Sequence, residues 1–151
     1  MLQQYLRSKY LANLSDWTSD NSGSAIVEFS LVLPVFLMML LGMLAYGLYF
    51  GTTHSISQLA ADGARASVAG LTDSERAQIA RLTVLASAGN YPLVDASYVS
   101  VQAGPLDNDP TEFLVTVDYD ASHLPIWGIA GLLPLPPQRI QQTAVVKRGG
   151  Y

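Results

Sequence analysis

One carboxylate, Glu28, stands at the head of a long uncharged apolar run. From Phe29 to Phe50 the chain has no Asp, Glu, Lys, Arg or His over 22 residues. A helix of about 20 apolar residues crosses the roughly 30 Å hydrocarbon core of a bilayer, so the run predicts a transmembrane helix. A carboxylate at that depth costs on the order of 2.5–3.5 kcal/mol, and ionisable residues placed there usually have a function. Glu28 is therefore the first candidate functional residue.

The composition fits one membrane helix joined to one small domain. The chain has 151 residues, of which 50% are hydrophobic and 13% charged, whereas about 25% charged residues is typical of soluble domains. The net charge of −4 comes without a Lys/Arg cluster, so nucleic-acid binding is not predicted. Cysteine is absent, which excludes disulfides and thiolate chemistry.

No catalytic or metal-ligating pattern appears in the sequence. There is no nucleophile motif and no Gly-rich phosphate loop, and the two histidines, His54 and His123, lie far apart. The acidic stretch 107–112 lacks the spacing of a calcium loop and is typical of a turn. We therefore predict a protein that is not an enzyme, with no catalytic residues, no cofactor and no metal.

The flanking charges indicate the orientation of the predicted helix. Arg7 and Lys9 precede it, and the first basic residue after it is Arg65. Basic residues favour the cytoplasmic side, so we expect a cytoplasmic N-terminus and a C-terminal domain outside. Residues 1–23 are too polar, and the run after them too long, for an ordinary secretory signal. The residues alone leave two interpretations open, a cleaved leader and an uncleaved signal anchor.

The string Gly-Ser-Ala-Ile-Val-Glu-Phe-Ser-Leu-Val-Leu-Pro at residues 23–34 resembles the opening of TadE-like proteins. Those are minor pilins, or pseudopilins, of tight-adherence (Flp) pilus systems. The Ala-rich stretch 58–66 is similar to the continuation of that family. The resemblance implies cleavage between Gly23 and Ser24 by a prepilin peptidase, a membrane aspartic protease. A cleaved leader is then the favoured interpretation.

The same resemblance implies a role in assembly for Glu28, with Phe29 beside it. The Glu28 carboxylate would pair with the free amine that cleavage creates on Ser24 of a neighbouring subunit. Pairing offsets the cost of burying both charges near hydrocarbon. The alternative is a carboxylate stabilised by the helix macrodipole alone, which needs no partner.

The chain is predicted to divide into a leader (residues 1–23), a transmembrane helix (24–51) and a periplasmic α+β domain (52–151). An amphipathic continuation of the first helix carries Ile56, Leu59, Gly63 and Ala66 on one face and ends at Gly70 as C-cap. A capping box, Thr72 to Glu75, starts a second, short helix with Ile79, Leu82 and Ala86 on its apolar side.

Period-two alternation predicts the rest of the fold. Val99 and Val101 lie in a first strand, a turn covers residues 104–110, and a last strand covers about 140–147. The second strand has one apolar face made of Phe113, Val115, Val117 and Tyr119. The predicted class is α+β, with a small antiparallel sheet of about three strands.

Two further features are candidate interaction sites. Gly42, Gly47 and Gly51 are small residues that permit close helix packing in a membrane. The uncharged segment 124–137 contains Ile126, Trp127, Leu132 and Leu133. If exposed, this segment is a partner or membrane surface; if folded over the sheet, it is core.

The predicted function is that of a minor pilin in assembly of a tight-adherence pilus for surface attachment and biofilm formation. Its partners would be other pilin or pseudopilin subunits, the assembly platform, the inner membrane and the prepilin peptidase that processes it. The expected location is the bacterial inner membrane, as a single-pass protein, and also the extracellular pilus. One alternative is a signal-anchored periplasmic binding module. A second is a membrane-bound enzyme, which the absence of a catalytic motif disfavours.

Overall fold

The computed structural model describes residues 22–106 and 109–147. Two helices, α1 (Ser22–Ser67) and α2 (Asp73–Ser87), precede three strands, β1 (Val99–Leu106), β2 (Asp109–Asp120) and β3 (Arg139–Lys147). Short 3-10 turns lie at Ala88–Asn90, Ala96–Tyr98 and Pro125–Ile129. The strands form one antiparallel sheet in the order β1-β2-β3. The predicted α+β class is confirmed. The predicted leader up to residue 21, with Arg7 and Lys9, lies outside the described residues.

The chain divides into two compact units, residues 1–41 and residues 42–151. The described part of the first unit belongs to α1, and from Gly23 to Leu41 every side chain except Leu33 is exposed. Helix α1 is long and apolar enough to cross a membrane. An apolar helix without a polar face is suited to lipid rather than to water.

The second unit has its core between helix and sheet. The predicted apolar face of α1 is confirmed at Ile56, Leu59 and Gly63, which are buried. The predicted alternation in β2 is confirmed as well, because four alternate side chains are fully buried: Phe113, Val115, Val117 and Tyr119. Strand β2 is central, and it supplies the layer on which the helices pack.

The predicted apolar side of α2 is wrong at two of its three positions. Ile79 is half-buried, but Leu82 and Ala86 are exposed, and the buried positions are Ala80 and Val84, followed by Ala88 in the adjoining 3-10 turn. The buried side chains are small and recur every four residues, which lets the helix approach its neighbours closely. The predicted N-cap is confirmed, since the Glu75 N–H donates to Thr72 Oγ1 at 3.2 Å. The Glu75 carboxylate accepts from the Leu71 N–H, one residue before the expected Thr72 N–H.

Gly70 is not a left-handed C-cap, because no glycine among the described residues has positive φ. Helix α1 ends at Ser67 and continues into 3-10-type bonds, the last from the Gly70 N–H to the Ser67 carbonyl at 3.1 Å. A Cβ at Gly70 would lie 2.7 Å from the backbone nitrogen of Arg76. Glycine is therefore required there by close approach of two backbones. The hairpin turn is also shorter than predicted, because β1 continues to Leu106 and β2 begins at Asp109.

Gly63 of α1 lies where α2 and the sheet pack against this helix. A Cβ at this position would lie 2.6 Å from Val84 Cγ2 and 3.4 Å from Val115 Cγ1. We expect Gly63→Ala to destabilise the domain, because overpacking costs about 1–3 kcal/mol and better helix propensity returns only about 1 kcal/mol. Urea unfolding of the purified full chain measures the change. Gly89→Ala is the matched control, since a Cβ there meets nothing within 4 Å. Equal stability of the two variants would contradict this packing role.

Tyr119 fixes the connection between α2 and β1 onto the sheet. Its buried hydroxyl accepts from the Asp95 N–H at 3.2 Å and lies 3.2 Å from the Leu93 carbonyl and 3.0 Å from His123 Nε2. Burial of the ring is the main cause that raises the pKa of Tyr119 above its ordinary value. The neutral hydroxyl is therefore the form that suits the folded state.

This geometry predicts a loss of stability in alkali. A pKa raised on folding contributes stability that is complete below the unfolded tyrosine pKa, about 10, and is lost as pH rises through the folded value. We expect the free energy of unfolding to fall above about pH 10, and to fall less steeply in Tyr119→Phe. Part of this pH dependence should remain in Tyr119→Phe, because the hydrogen bond from Tyr91 to Asp62 raises the pKa of Tyr91 too. Parallel urea titrations at pH 8 and pH 11 test this, and an identical slope in both proteins would refute it.

Candidate processing and assembly site

The bond between Gly23 and Ser24 lies in the first turn of α1. The helix begins at Ser22, two residues before the predicted start of the transmembrane helix at residue 24, so the bond is helical. N–H groups in the first turn have no carbonyl partner within the helix. The bond therefore lies where helix ends fray most easily.

Gly23 has no structural reason to be glycine. A Cβ at this position would meet nothing within 4 Å, and the backbone φ is not positive. Glycine in a helix interior is less favourable than alanine by about 1 kcal/mol. Neither packing nor backbone geometry in the described chain accounts for this residue.

Glu28 is an exposed carboxylate in the second turn of α1. It accepts a hydrogen bond from the Ser24 hydroxyl at 3.2 Å, so the structure brings two of the predicted site residues together. The first turn of α1 holds no acidic residue. Because the macrodipole effect falls off within the first turn, it contributes little to Glu28 in the uncleaved chain.

The surroundings of Glu28 are apolar and contain no cation. Phe29 is 64% exposed, and its neighbours Ile26 and Val27 are exposed too. Residues 22–41 include no Lys, Arg or His. In the uncleaved chain, a positive group that pairs with Glu28 must therefore come from outside this segment.

The three glycines predicted for helix packing have different surroundings. A Cβ at Gly42 would lie 3.5 Å from Leu133 Cδ1, and one at Gly51 would lie 3.1 Å from Leu93 Cδ1. A Cβ at Gly47 would meet nothing within 4 Å. Two of the three are thus covered by side chains of their own domain. Packing of Gly47 against another helix stays a prediction.

Segment 124–137 is part core and part surface. Ile126 is only 4% exposed and lies in the hydrophobic core, so it is not accessible to a partner. Trp127 is half-buried, and its indole N–H donates to the Ala121 carbonyl at 2.6 Å. Leu133 is half-buried, whereas Leu132 is 63% exposed. The surface predicted from sequence is therefore reduced to the second half of the segment.

The acidic turn and the two histidines, which the sequence offered as possible ligand-binding groups, have local partners in the structure. Among residues 22–106 and 109–147, no group of three His, Cys, Asp or Glu side chains could hold a metal ion. The Asp109 carboxylate accepts from the hydroxyl and the N–H of Thr111, which lowers the pKa of Asp109; residues 107 and 108 lie outside the described part. His54 lies 2.8 Å from Gln58, and His123 stacks on a tyrosine ring.

Comparison with known protein families relates this site to one of them. Residues 23–65 match the family model described as TadE-like protein. The N-terminal segment is TadE-like. The match begins at Gly23, contains Glu28 and Phe29, and confirms the resemblance seen in the sequence. The match associates this segment with a family of pilus-associated proteins. The comparisons with curated proteins and with solved structures returned no match.

The sequence could not have revealed that the domain contacts α1 as early as Gly42. The contacts at Gly42 and Gly51 come from Leu133 and Leu93, residues far away in the chain. The uncharged composition of segment 124–137 was the one available signal, and it could not distinguish a core segment from a segment that lies along the helix.

Proposed function

We propose that this protein is a minor pilin, or pseudopilin, that takes part in assembly of a tight-adherence Flp-type pilus. The pilus would serve surface attachment and biofilm formation, and the protein would act by binding rather than by catalysis. The observation that carries the proposal is the TadE-like match that starts at Gly23, at the head of an exposed apolar helix. The structural features of Gly23 and Glu28 support it independently.

Gly23 supports processing by a prepilin peptidase. Nothing in the described chain requires a glycine at this position. Recognition of Gly23 by another protein therefore explains the glycine better. A peptidase subsite that admits no side chain would impose that requirement. Gly23 would then occupy this subsite, and Ser24 would become the new N-terminus.

Glu28 supports assembly through charge pairing. In the processed chain, Ser24 carries a free amine on the same face of the helix, four residues before Glu28. The Ser24 hydroxyl already reaches the Glu28 carboxylate in the unprocessed chain. Within a pilus, the amine of one subunit would pair with the Glu28 carboxylate of the next, while Phe29 and the exposed apolar side chains pack between helices. Such pairing removes two unpaired charges from a low-dielectric environment.

Within this proposal, residues 1–23 are the leader, residues 24–51 anchor the protein, and residues 52–151 form the periplasmic domain. The partners are other pilin or pseudopilin subunits, the assembly platform of the inner membrane, and the prepilin peptidase. The protein resides in the inner membrane with its N-terminus in the cytoplasm and enters the extracellular pilus when assembled.

The topology makes a labelling prediction. The chain has no cysteine, so a single introduced thiol reports one position. Ser100 is exposed on β1, and we expect Ser100→Cys to react with an impermeant maleimide on intact spheroplasts. Ser8→Cys, examined in cells that lack the peptidase, should react only after lysis. Labelling of Ser8→Cys in intact spheroplasts, with protection of Ser100→Cys, would invert the orientation.

A complementation experiment tests the function itself. We expect loss of the chain from its native bacterium to abolish surface pili and adherence, and the wild-type chain to restore both. The matched control replaces residues 24–34 by an unrelated apolar sequence of equal length, which keeps the anchor and the domain but removes the TadE-like features. Restoration of pili by this control would leave a signal-anchored periplasmic module as the better description.

A further inference from the structure

We propose that the second unit rests on the membrane through an apolar rim made of Leu93, Leu132, Leu133 and Pro134, with lipid as the occupant. The proposal rests on the proposed function in one respect only, namely that α1 crosses the bilayer. It commits the exposed half of segment 124–137 to the acyl–headgroup boundary on the side of the bilayer that carries the second unit.

The position of the rim along α1 is the first reason. A Cβ at Gly42 would lie 3.5 Å from Leu133 Cδ1, and the Tyr46 hydroxyl donates to the Pro134 carbonyl at 3.0 Å. At the other loop, a Cβ at Gly51 would lie 3.1 Å from Leu93 Cδ1. The first loop thus contacts the helix within the uncharged run that ends at Phe50, and the second contacts it directly after that run.

The thickness of a bilayer is the second reason. A span takes about 20 helical residues. Counted from Ser24 it ends near Met43, and counted from Phe29 it ends near Leu48. In both cases Gly42 lies within the span, so its neighbour Leu133 is at the membrane boundary. Residues 29–41 alone would give only about 20 Å of helix, too little for a hydrocarbon core of about 30 Å.

The chemistry of the rim is the third reason. Segment 124–137 and residues 91–94 contain no charged side chain. Leu132 and Leu93 are 63% and 45% exposed, an arrangement that is unfavourable in water and favourable in lipid. Leu93 also adopts a φ of 65°, which is uncommon for leucine and marks a position held by its surroundings.

Part of the rim's backbone has hydrogen-bond partners within the protein. The Leu132 and Leu133 N–H groups donate to the Ile129 carbonyl at 2.9 and 3.2 Å, and Pro134 O accepts from Tyr46. Pro134, like the two prolines that follow at 136 and 137, has no N–H to satisfy. Irregular backbone at membrane depth requires such internal partners. The Tyr46 ring packs near Phe50 with centroids 6.1 Å apart, and aromatic residues favour this boundary.

Depth-dependent quenching tests the proposal on the full chain in lipid nanodiscs, one chain per disc. Single cysteines carry an environment-sensitive fluorophore, and doxyl lipids act as quenchers. Leu132→Cys reports the rim, Leu71→Cys is a matched leucine control that is 90% exposed, and Val35→Cys, 66% exposed, reports the apolar run. All three side chains lie outside the core, so the substitutions leave the fold intact.

We expect shallow doxyl lipids to quench the Leu132→Cys label about twofold or more, as for a group at the boundary, and to leave the Leu71→Cys label unquenched. Quenching of Val35→Cys without quenching of Leu132→Cys overturns the rim while the anchor stands. Absence of quenching at Val35→Cys would instead refute the membrane anchor of the proposed function. A Leu132→Cys label that responds only when several chains share one disc would assign the surface to a second copy of the protein and overturn the proposal as well.

Discussion

Replacement of Gly23 by leucine should leave the protein in its unprocessed form. The four-carbon side chain cannot enter a peptidase subsite that accepts glycine, and a steric mismatch of even one methylene in a tight pocket is worth about tenfold or more in rate. The folded chain has no reason to respond, because space around Gly23 is open. We therefore expect normal amounts of membrane-inserted Gly23→Leu protein that retains its leader.

Mass spectrometry of the protein from native membranes distinguishes the two forms. Gly23→Ala is the graded control, since one methyl group should slow processing without abolishing it. Because Gly89 is also surrounded by open space, Gly89→Leu controls for the substitution itself and should be processed normally. Processing of Gly23→Leu at the wild-type rate would remove the peptidase as the reason for this glycine.

Glu28→Gln should abolish or strongly reduce surface pili while the protein level stays normal. Glutamine keeps the size and most hydrogen bonding of the side chain but removes the charge that a partner amine requires. Membrane insertion should improve, because a carboxylate at membrane depth costs about 2.5–3.5 kcal/mol. Residue 28 belongs to the first unit, and the core of the domain belongs to the second, so the stability of the domain should be unchanged.

Piliation counts by electron microscopy, adherence assays and the unfolding midpoint of the domain together test this prediction. Glu28→Asp keeps the charge with a shorter reach and should give an intermediate defect. Ser24→Ala removes the hydroxyl that donates to Glu28 but keeps the amine of the processed chain, and it should assemble pili. Unchanged piliation in Glu28→Gln would leave only the helix-macrodipole interpretation.

The fold was predictable where the signal is local. The alternation of Phe113, Val115, Val117 and Tyr119 identifies the buried face of β2 because side chains of a strand alternate between faces. The first helix was predictable because its apolar run is uninterrupted. The Gly23–Glu28 spacing is local too, and the family match over residues 23–65 agrees with it.

The misjudged features depend on residues that are distant in sequence. Leu82 is more hydrophobic than Ala80, yet Ala80 is the buried residue of the two. The reason is the close approach of α2 to α1 at Gly63, where even a Cβ would be too close to Val84. Gly70 is explained by its approach to Arg76 and not by a left-handed backbone. The contact of Leu133 with Gly42 is of the same kind. The partner of Glu28 lies on another molecule in our proposal, so neither sequence pattern nor the fold of one chain contains it.

The N-terminal sequence of the wild-type protein, purified from its native membrane, tests the central claim most directly. If the protein is a processed pilin subunit, Edman degradation or mass spectrometry of the N-terminal peptide will read Ser-Ala-Ile-Val-Glu-Phe, beginning at Ser24. A protein that begins at Met1 in cells with an active prepilin peptidase would contradict the account, because no free amine would then lie beside Glu28.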